Sequence, residues 1–183
     1  MLEAFSRQLA GTIKQALPDH PVSEAVLRYG LNIVFNTVCT IVLSMILGIA
    51  AGRLPETMVV LFGFALLRVL SGGYHFKSGL LCVVVSSIVA VSLSFVVLDA
   101  YTLFTLNAIN AVLVVIYAPS GIERQTRIPK RCFPMLKIAA LLIVLTNLHI
   151  HSSLLAVSWF VQAISLVPVK QWKEVKTNEQ KSA

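Results

Sequence analysis

Residues 30–51 read "GLNIVFNTVCTIVLSMILGIAA" without one charged side chain, and comparable apolar runs recur down to residue 169. A helix rises 1.5 Å per residue, so about 20 such residues cross ~30 Å of hydrocarbon with every backbone hydrogen bond closed internally. Composition points the same way: 57% of the 183 residues are hydrophobic and 13% are charged, with a mean hydropathy of +0.83. A soluble domain keeps roughly a quarter of its residues charged. The expectation is an all-α, polytopic membrane helix bundle forming one integral-membrane domain over residues 1–183.

Six spans fit, at approximately 30–51, 56–72, 79–98, 101–118, 134–150 and 153–169, the fourth and fifth being short for a full crossing. Gly52 and Pro55, the glycines at 72, 73 and 79, Asp99, and the prolines at 119, 129 and 134 punctuate them. Residues 1–20 contain no continuous apolar core and no small-residue cleavage site, so a cleavable secretory signal is not expected there, and residues 1–28 are read as an amphipathic interfacial segment. Leu2, Phe5, Leu9, Ile13 and Leu17 recur at helical steps instead. They predict an amphipathic helix in the membrane interface with Arg7, Lys14 and Gln15 facing water. Residues 170–183 form a basic tail.

The net charge of +7 lies in loops beside the spans, which argues for membrane topology rather than nucleic-acid binding. With the N-terminus inside, twelve lysines and arginines fall on the cytoplasmic side and only Arg53 on the other, with Arg68 and Lys137 in or beside spans. Both termini and the "GGYHFKSG" loop are therefore expected in the cytoplasm. Three cysteines without CxxC spacing suggest neither a disulfide scaffold nor a metal site, and no cofactor is expected.

The chemistry concentrates in "RVLSGGYHFKSGLLC", residues 68–82. On one continuous helix His75 and Cys82 would lie ~10.5 Å apart along the axis, whereas a base and nucleophile need about 2.6–3.2 Å. Gly72, Gly73 and Gly79 can break the helix and fold the segment into a hairpin that brings His75 to Cys82. A thiol in the first turns of a helix feels the positive end of the dipole, and an imidazolium adds to it; both favour thiolate. Arg68 inside a span either binds a substrate carboxylate or snorkels to headgroups. Cys39, by contrast, reads as a packing residue.

These residues, at this spacing, resemble the signature of the accessory gene regulator protein B family, membrane cysteine peptidases of Gram-positive quorum sensing. The chain length, the spans, the amphipathic start and the basic loop "APSGIERQTRIPKRC" extend the resemblance over almost the whole chain. It implies that Cys82 is the nucleophile and His75 the general base. Together they remove the tail of a short propeptide that has an amphipathic start and an acidic end. A thioester on Cys82 would then be attacked by a substrate cysteine or serine, closing a thiolactone or lactone. It further implies that Arg124, Arg127, Lys130 and Arg131 dock the acidic tail, or alternatively anchor to lipid phosphates. Ser78 is a candidate third member, and backbone amides around Leu81 and Cys82, or Lys77, are candidate oxyanion donors. A homodimer is expected from family habit, with no small-xxx-small face read in the sequence to carry it. Another class of reading is a peptide or small-molecule transporter, with Arg68, Asn107, Asn110 and Gln162 lining a pathway; a metal carrier is weaker, because His149 and His151 fall at the opposite side.

Overall fold

A computed structural model describes residues 2–17, 22–73, 78–120 and 129–167. Among them the regular structure is helical: α1 (Leu2–Ala16), α2 (Glu24–Ala50), α3 (Leu54–Ser71), α4 (Gly79–Leu93), α5 (Ala100–Tyr117), α6 (Phe133–Ile150) and α7 (Ser153–Leu166), with a 3-10 turn at Lys130–Cys132. Helices α2, α3, α5 and α6 are long and apolar enough to cross a membrane, while α4 and α7 are shorter apolar helices. The outward faces carry large apolar side chains, such as Val69, Val97 and Tyr101, each more than three-quarters exposed. Lipid is the solvent that suits such a surface.

The helix limits differ from expectation at α2, which begins at Glu24 rather than near residue 30, and at the ends of α4 and α7. Helices α5 and α6 have 18 residues each, close to the expected limits and long enough to cross a membrane, whereas α4 stops at Leu93 and α7 at Leu166. Helix α4 ends early because the Ser94 hydroxyl turns back to the Val91 carbonyl at 2.7 Å. Beyond it, the Leu98 amide is taken by the Ser153 hydroxyl at 3.1 Å. Asp99 then caps α5, accepting from the Thr102 amide at 3.0 Å and from its hydroxyl at 2.7 Å. The Thr102 hydroxyl, and next its amide, hold the Asp99 carboxyl below its usual value. The cap is thus fully kept above the ordinary carboxylate pKa of about 3.9 and is lost only as pH falls through the lower folded value.

The chain forms two compact units, residues 1–61 with 75–95 and residues 62–74 with 96–183, so that α3 begins in the first and ends in the second. In the first unit a small and polar seam joins α2 to α4. Thr40, Ser44 and Gly48 are the buried residues of α2, and Val83, Ser87 and Ala90 are those of α4. Ser44 Oγ donates to Ser87 Oγ at 3.1 Å, and Ser87 Oγ donates to the Thr40 carbonyl at 3.3 Å. Asn36 meets Gly79 while Ser44 meets Ser87, so the two helices run parallel. The small-xxx-small face of Thr40, Ser44 and Gly48 is filled within the chain, by Ser87 of α4 and, at Gly48, by Leu54 and Thr57 of α3.

Helix α1 packs along α2 through Ser6 and Ala10, both fully buried. The Phe5 ring meets the Phe35 ring edge-on at 5.0 Å, yet Phe5 and Leu17 each remain 56% exposed. The small residues make the seam, and these two large apolar residues, read as the membrane-facing stripe, stay outward.

In the second unit α7 is buried along most of its faces. Leu67, Val114, Ala118, Ala140, Val144, Trp159 and Leu166 form its core. Trp159 Nε1 donates to the Gly63 carbonyl at 3.0 Å, and a Cβ on Gly63 would stand 2.9 Å from Leu155 Cδ2; glycine lets α7 close on α3. Asn147 Nδ2 donates to Asn107 Oδ1 at 3.1 Å and to the Ser152 carbonyl at 2.9 Å, and Asn147 Oδ1 accepts from the Ser152 amide at 2.9 Å. One buried amide thereby joins α5 to α6 and fixes the α6–α7 turn. His149 and His151 are exposed at that turn, as expected.

Ser44→Leu is expected to lower thermal stability in detergent, because overpacking such a seam costs about 1–3 kcal/mol. Ser44→Ala, which loses only the hydroxyl bond, should cost about 0.6 kcal/mol. Equal melting temperatures for the two variants would show that the seam is loose.

Candidate active site

The last turn of α3 sets up the stretch 68–82. Leu67 points into the core, and Arg68 beside it is partly buried. The Arg68 guanidinium lies 5.5 Å from the Phe64 ring centroid, and its Nη1 donates to Gln162 Oε1 at 3.4 Å. The helix ends in the left-handed region at Gly72 (φ 74), followed by Gly73 (φ 120). Such values favour glycine, which has no Cβ to clash.

Three strands of chain meet at this glycine pair. The Gly72 amide closes the helix on the Arg68 carbonyl at 2.8 Å, and the Gly73 amide donates to the Ser120 carbonyl at 2.8 Å. The Ser120 amide in turn donates to the Ser71 carbonyl at 2.9 Å. From α7, Gln162 Nε2 donates to the Gly72 carbonyl at 2.6 Å and to Ser71 Oγ at 3.1 Å. A Cβ on Gly73 would stand 2.7 Å from Ser165 Oγ and 3.2 Å from Gln162 Nε2. Gly72 and Gly73 thus do break the helix, and α7 also requires the bareness of Gly73.

Gly79 does not share that role. It has no positive φ and opens α4. A Cβ there would stand 3.3 Å from Asn36 Oδ1 on α2, so close helix approach accounts for this glycine.

Cys82 is the fourth residue of α4, half-buried and free, in the first unit. Its amide donates to the Ser78 carbonyl at 3.1 Å, which removes it from the candidate oxyanion donors. The amides of Gly79, Leu80 and Leu81 have no partner among the described residues. Ser78 occupies the cap position in extended conformation, and its hydroxyl makes no capping bond. The thiol therefore sits one turn into a helix whose N-terminal amides carry no side-chain cap, where the dipole favours a negative charge.

His75, Lys77, Arg124 and Arg127 lie outside the described residues, as does the approach of His75 to Cys82. Lys130 and Arg131 fall in the 3-10 turn ahead of α6, and Arg131 is exposed. Arg68, Gly72 and Gly73 are brought together in the second unit with Ser120, Gln162 and Ser165, while Ser78 and Cys82 belong to the first unit. Gln162, Asn107 and Asn110, considered above as pathway-lining, are at most 2% exposed and hydrogen-bond neighbouring segments. Among the described residues no three His, Cys, Asp or Glu side chains group as metal ligands. Sequence reasoning missed Ser120 and Ser165, and named Gln162 only in the transporter alternative, as a lining residue. The available signal was a lone amide in an apolar helix that needed a buried partner.

A model of the accessory gene regulator B family matches residues 6–177. The accessory gene regulator protein B of Staphylococcus aureus strain N315 is 26% identical over 152 residues, covering 78% of this chain and 81% of that protein. An AgrB-like protein of Clostridium perfringens strain 13 is 25% identical over 101 residues, covering 55% of this chain and 47% of its own length. Another, from Halalkalibacterium halodurans, is 27% identical over 96 residues, covering 52% and 49%. The match spans about half the length of these last two relatives. No solved structure matches the chain.

Gly73→Ala should destabilise the second unit by about 1–3 kcal/mol, from a positive φ forced on a residue with a Cβ together with the clash at Ser165. Adding Ser165→Gly should recover part of the lost melting temperature by removing the clash alone. No recovery would mean that the close approach of α7 is not what the glycine serves.

Proposed function

Because the chain belongs to the accessory gene regulator B family, we propose that it is a membrane cysteine endopeptidase of accessory gene regulator quorum sensing. Its substrate is a short propeptide with an amphipathic start and an acidic tail. The observation that carries this reading is the placement of Cys82: a free, half-buried thiol in the first turns of α4, above amides with no partner among the described residues.

In this mechanism the His75 imidazole takes the Cys82 Sγ proton, and the thiolate attacks the scissile carbonyl carbon. Negative charge gathers on the carbonyl oxygen. The amides of Gly79, Leu80 and Leu81 are the group best placed in α4 to receive it, since the Cys82 amide is already bonded. Collapse of the tetrahedral intermediate breaks the peptide bond, and the imidazolium protonates the departing amine. The tail leaves, and the remaining peptide is held as a thioester on Cys82. A cysteine or serine of the substrate then loses its proton to His75 and attacks the thioester carbonyl. Cys82 departs as thiolate and recovers that proton. A thioester keeps much of its acyl activation, so cyclisation outpaces hydrolysis where water is excluded and the internal nucleophile is near.

The charge distribution supports a cytoplasmic site, with both termini inside. Arg124, Arg127, Lys130 and Arg131 would attract the acidic tail there. Helix α1, with Phe5 and Leu17 outward, offers an apolar face at which the propeptide's amphipathic start can lie beside it.

Reconstitution in liposomes with the propeptide of the organism tests the reading. Cys82→Ala and His75→Ala should each lose cleavage by at least about 10³-fold while keeping their helix content. A hydroxylamine-sensitive peptide adduct should form on the unmodified protein and be missing from Cys82→Ala. Cleavage that survived in Cys82→Ala would sink the assignment.

A further inference from the structure

Asn32 and Asn36 stand four residues apart on α2, in the first unit, and so share one face of that helix. Both residues are partly buried, and their Oδ1 atoms are covered without a hydrogen-bond partner among the described residues. Further along α2, Thr40 and Ser44 do find partners. A carboxamide is an expensive side chain in a membrane helix, and one left unbonded is more so. Two of them in succession have no task within the fold.

Their place suggests one. Asn36 Oδ1 lies 3.3 Å from the position a Cβ would take on Gly79, the first residue of α4, and Cys82 follows three residues later. Cβ atoms three residues apart on a helix are about 5–6 Å apart, so Asn36 Oδ1 is within about 9 Å of the Cys82 Cβ. Two to three residues of extended chain cover that distance. Because α2 and α4 run parallel with Asn36 beside Gly79, residues 24–35 of α2 reach roughly 18 Å beyond the start of α4. A peptide that approaches Cys82 from the cytoplasm passes along this overhang, Asn32 first and Asn36 second. Four residues of helix rise about 6 Å. Alternate N–H groups of an extended chain point to one side and repeat about every 6.6 Å, so the two carboxamides match the amides of residues n and n+2. No bond anchors either amide plane, and the last torsion of asparagine is broad. Each Oδ1 can therefore turn from its covered position to the open side of its residue.

We propose that Asn32 and Asn36 form a backbone-recognition subsite of the peptidase: their Oδ1 atoms accept alternate N–H groups of the propeptide, drawn out in extended form along α2 toward Cys82. The inference rests on the reading of Cys82 as nucleophile and deepens it by naming the form of substrate taken. A helical segment bonds its own amides and has none to offer, whereas an extended one presents every second N–H to the same face. The subsite thus selects the stretch of propeptide between the amphipathic start and the acidic tail.

The test uses the full chain in liposomes and the organism's propeptide, synthesised with one backbone N–H at a time methylated near the cut. With the unmodified protein, methylation at two positions, two residues apart, should each raise KM by about 2- to 10-fold, as for one net hydrogen bond. Asn36→Leu should raise KM for the unmethylated peptide by a similar factor and lose its sensitivity at the position nearer the cut. Asn32→Leu should lose it at the farther position, and kcat should stay within about twofold in both. Asn147→Leu, which removes three bonds within the fold, is the structural control: it should melt lower yet keep both sensitivities. The two α2 variants give up no bond and should melt at or above the unmodified protein. If either melts as low as Asn147→Leu, its amide is bonded within the fold and the subsite is overturned. A KM that no methylation and neither α2 variant changes, as for amides that hold ordered water only, overturns the subsite and leaves the peptidase reading intact. Cleavage that survives in Cys82→Ala overturns both.

Discussion

A helix that ends within an apolar surrounding leaves carbonyls that water cannot reach, and each needs a donor from elsewhere in the fold. The 2.6 Å bond from the Gln162 amide to the Gly72 carbonyl meets that need at the end of α3. Other features of the second unit follow from it. Helix α7 has to come close enough for the amide to reach, which leaves no room for a Cβ at Gly73 beside Ser165. Higher up the same pair of helices, Gly63 is bare where Leu155 and Ser158 approach it, and Trp159 Nε1 caps the Gly63 carbonyl. The burial of α7 and the glycines of α3 are thus two sides of one constraint.

The first unit solves its packing differently. In lipid there is no hydrophobic drive to bring two apolar helices together, so close contact and small hydrogen bonds must do it. Thr40 and Ser44 on α2 against Ser87 on α4, and Gly48 on α2 against Leu54 and Thr57 of α3, provide both. Large side chains such as Val42 and Ile46 point outward on the same helix, where the surrounding lipid accepts them at no cost. The pattern inverts that of a soluble helix pair, whose large residues would fill the seam.

That inversion explains what could be read in advance. Long apolar runs announce helices, and the all-helical membrane architecture was visible in residues 30–51 alone. The limits of α4 and α7 were not, because the connection from Ser94 to Asp99 is as apolar as the helix it follows, and only the bonds of Ser94 and Ser153 end it. The α2–α4 seam was hidden because serine, threonine and glycine within an apolar run look like weak members of a span rather than its most buried residues. Cys82 and the glycine pair stood out through spacing. Gln162 was visible as an oddity, with a task only in the transporter alternative, since its partners, Arg68 apart, are backbone and hydroxyl groups that carry no charge to mark them. Gly79, taken for a hinge, serves contact with Asn36 instead.

The two kinds of glycine in the 68–82 stretch divide the labour that peptidase chemistry would ask of it. At Gly72 and Gly73 the chain must turn in a conformation other residues resist, and the turn is then pinned from α7 and from Ser120, so freedom is used once and removed. At Gly79 the chain must enter a helix tightly against α2, so that Cys82 arrives one turn later on a rigid element instead of a loop. A nucleophile needs a firmly held support to react efficiently, and α4 is such a support for Cys82.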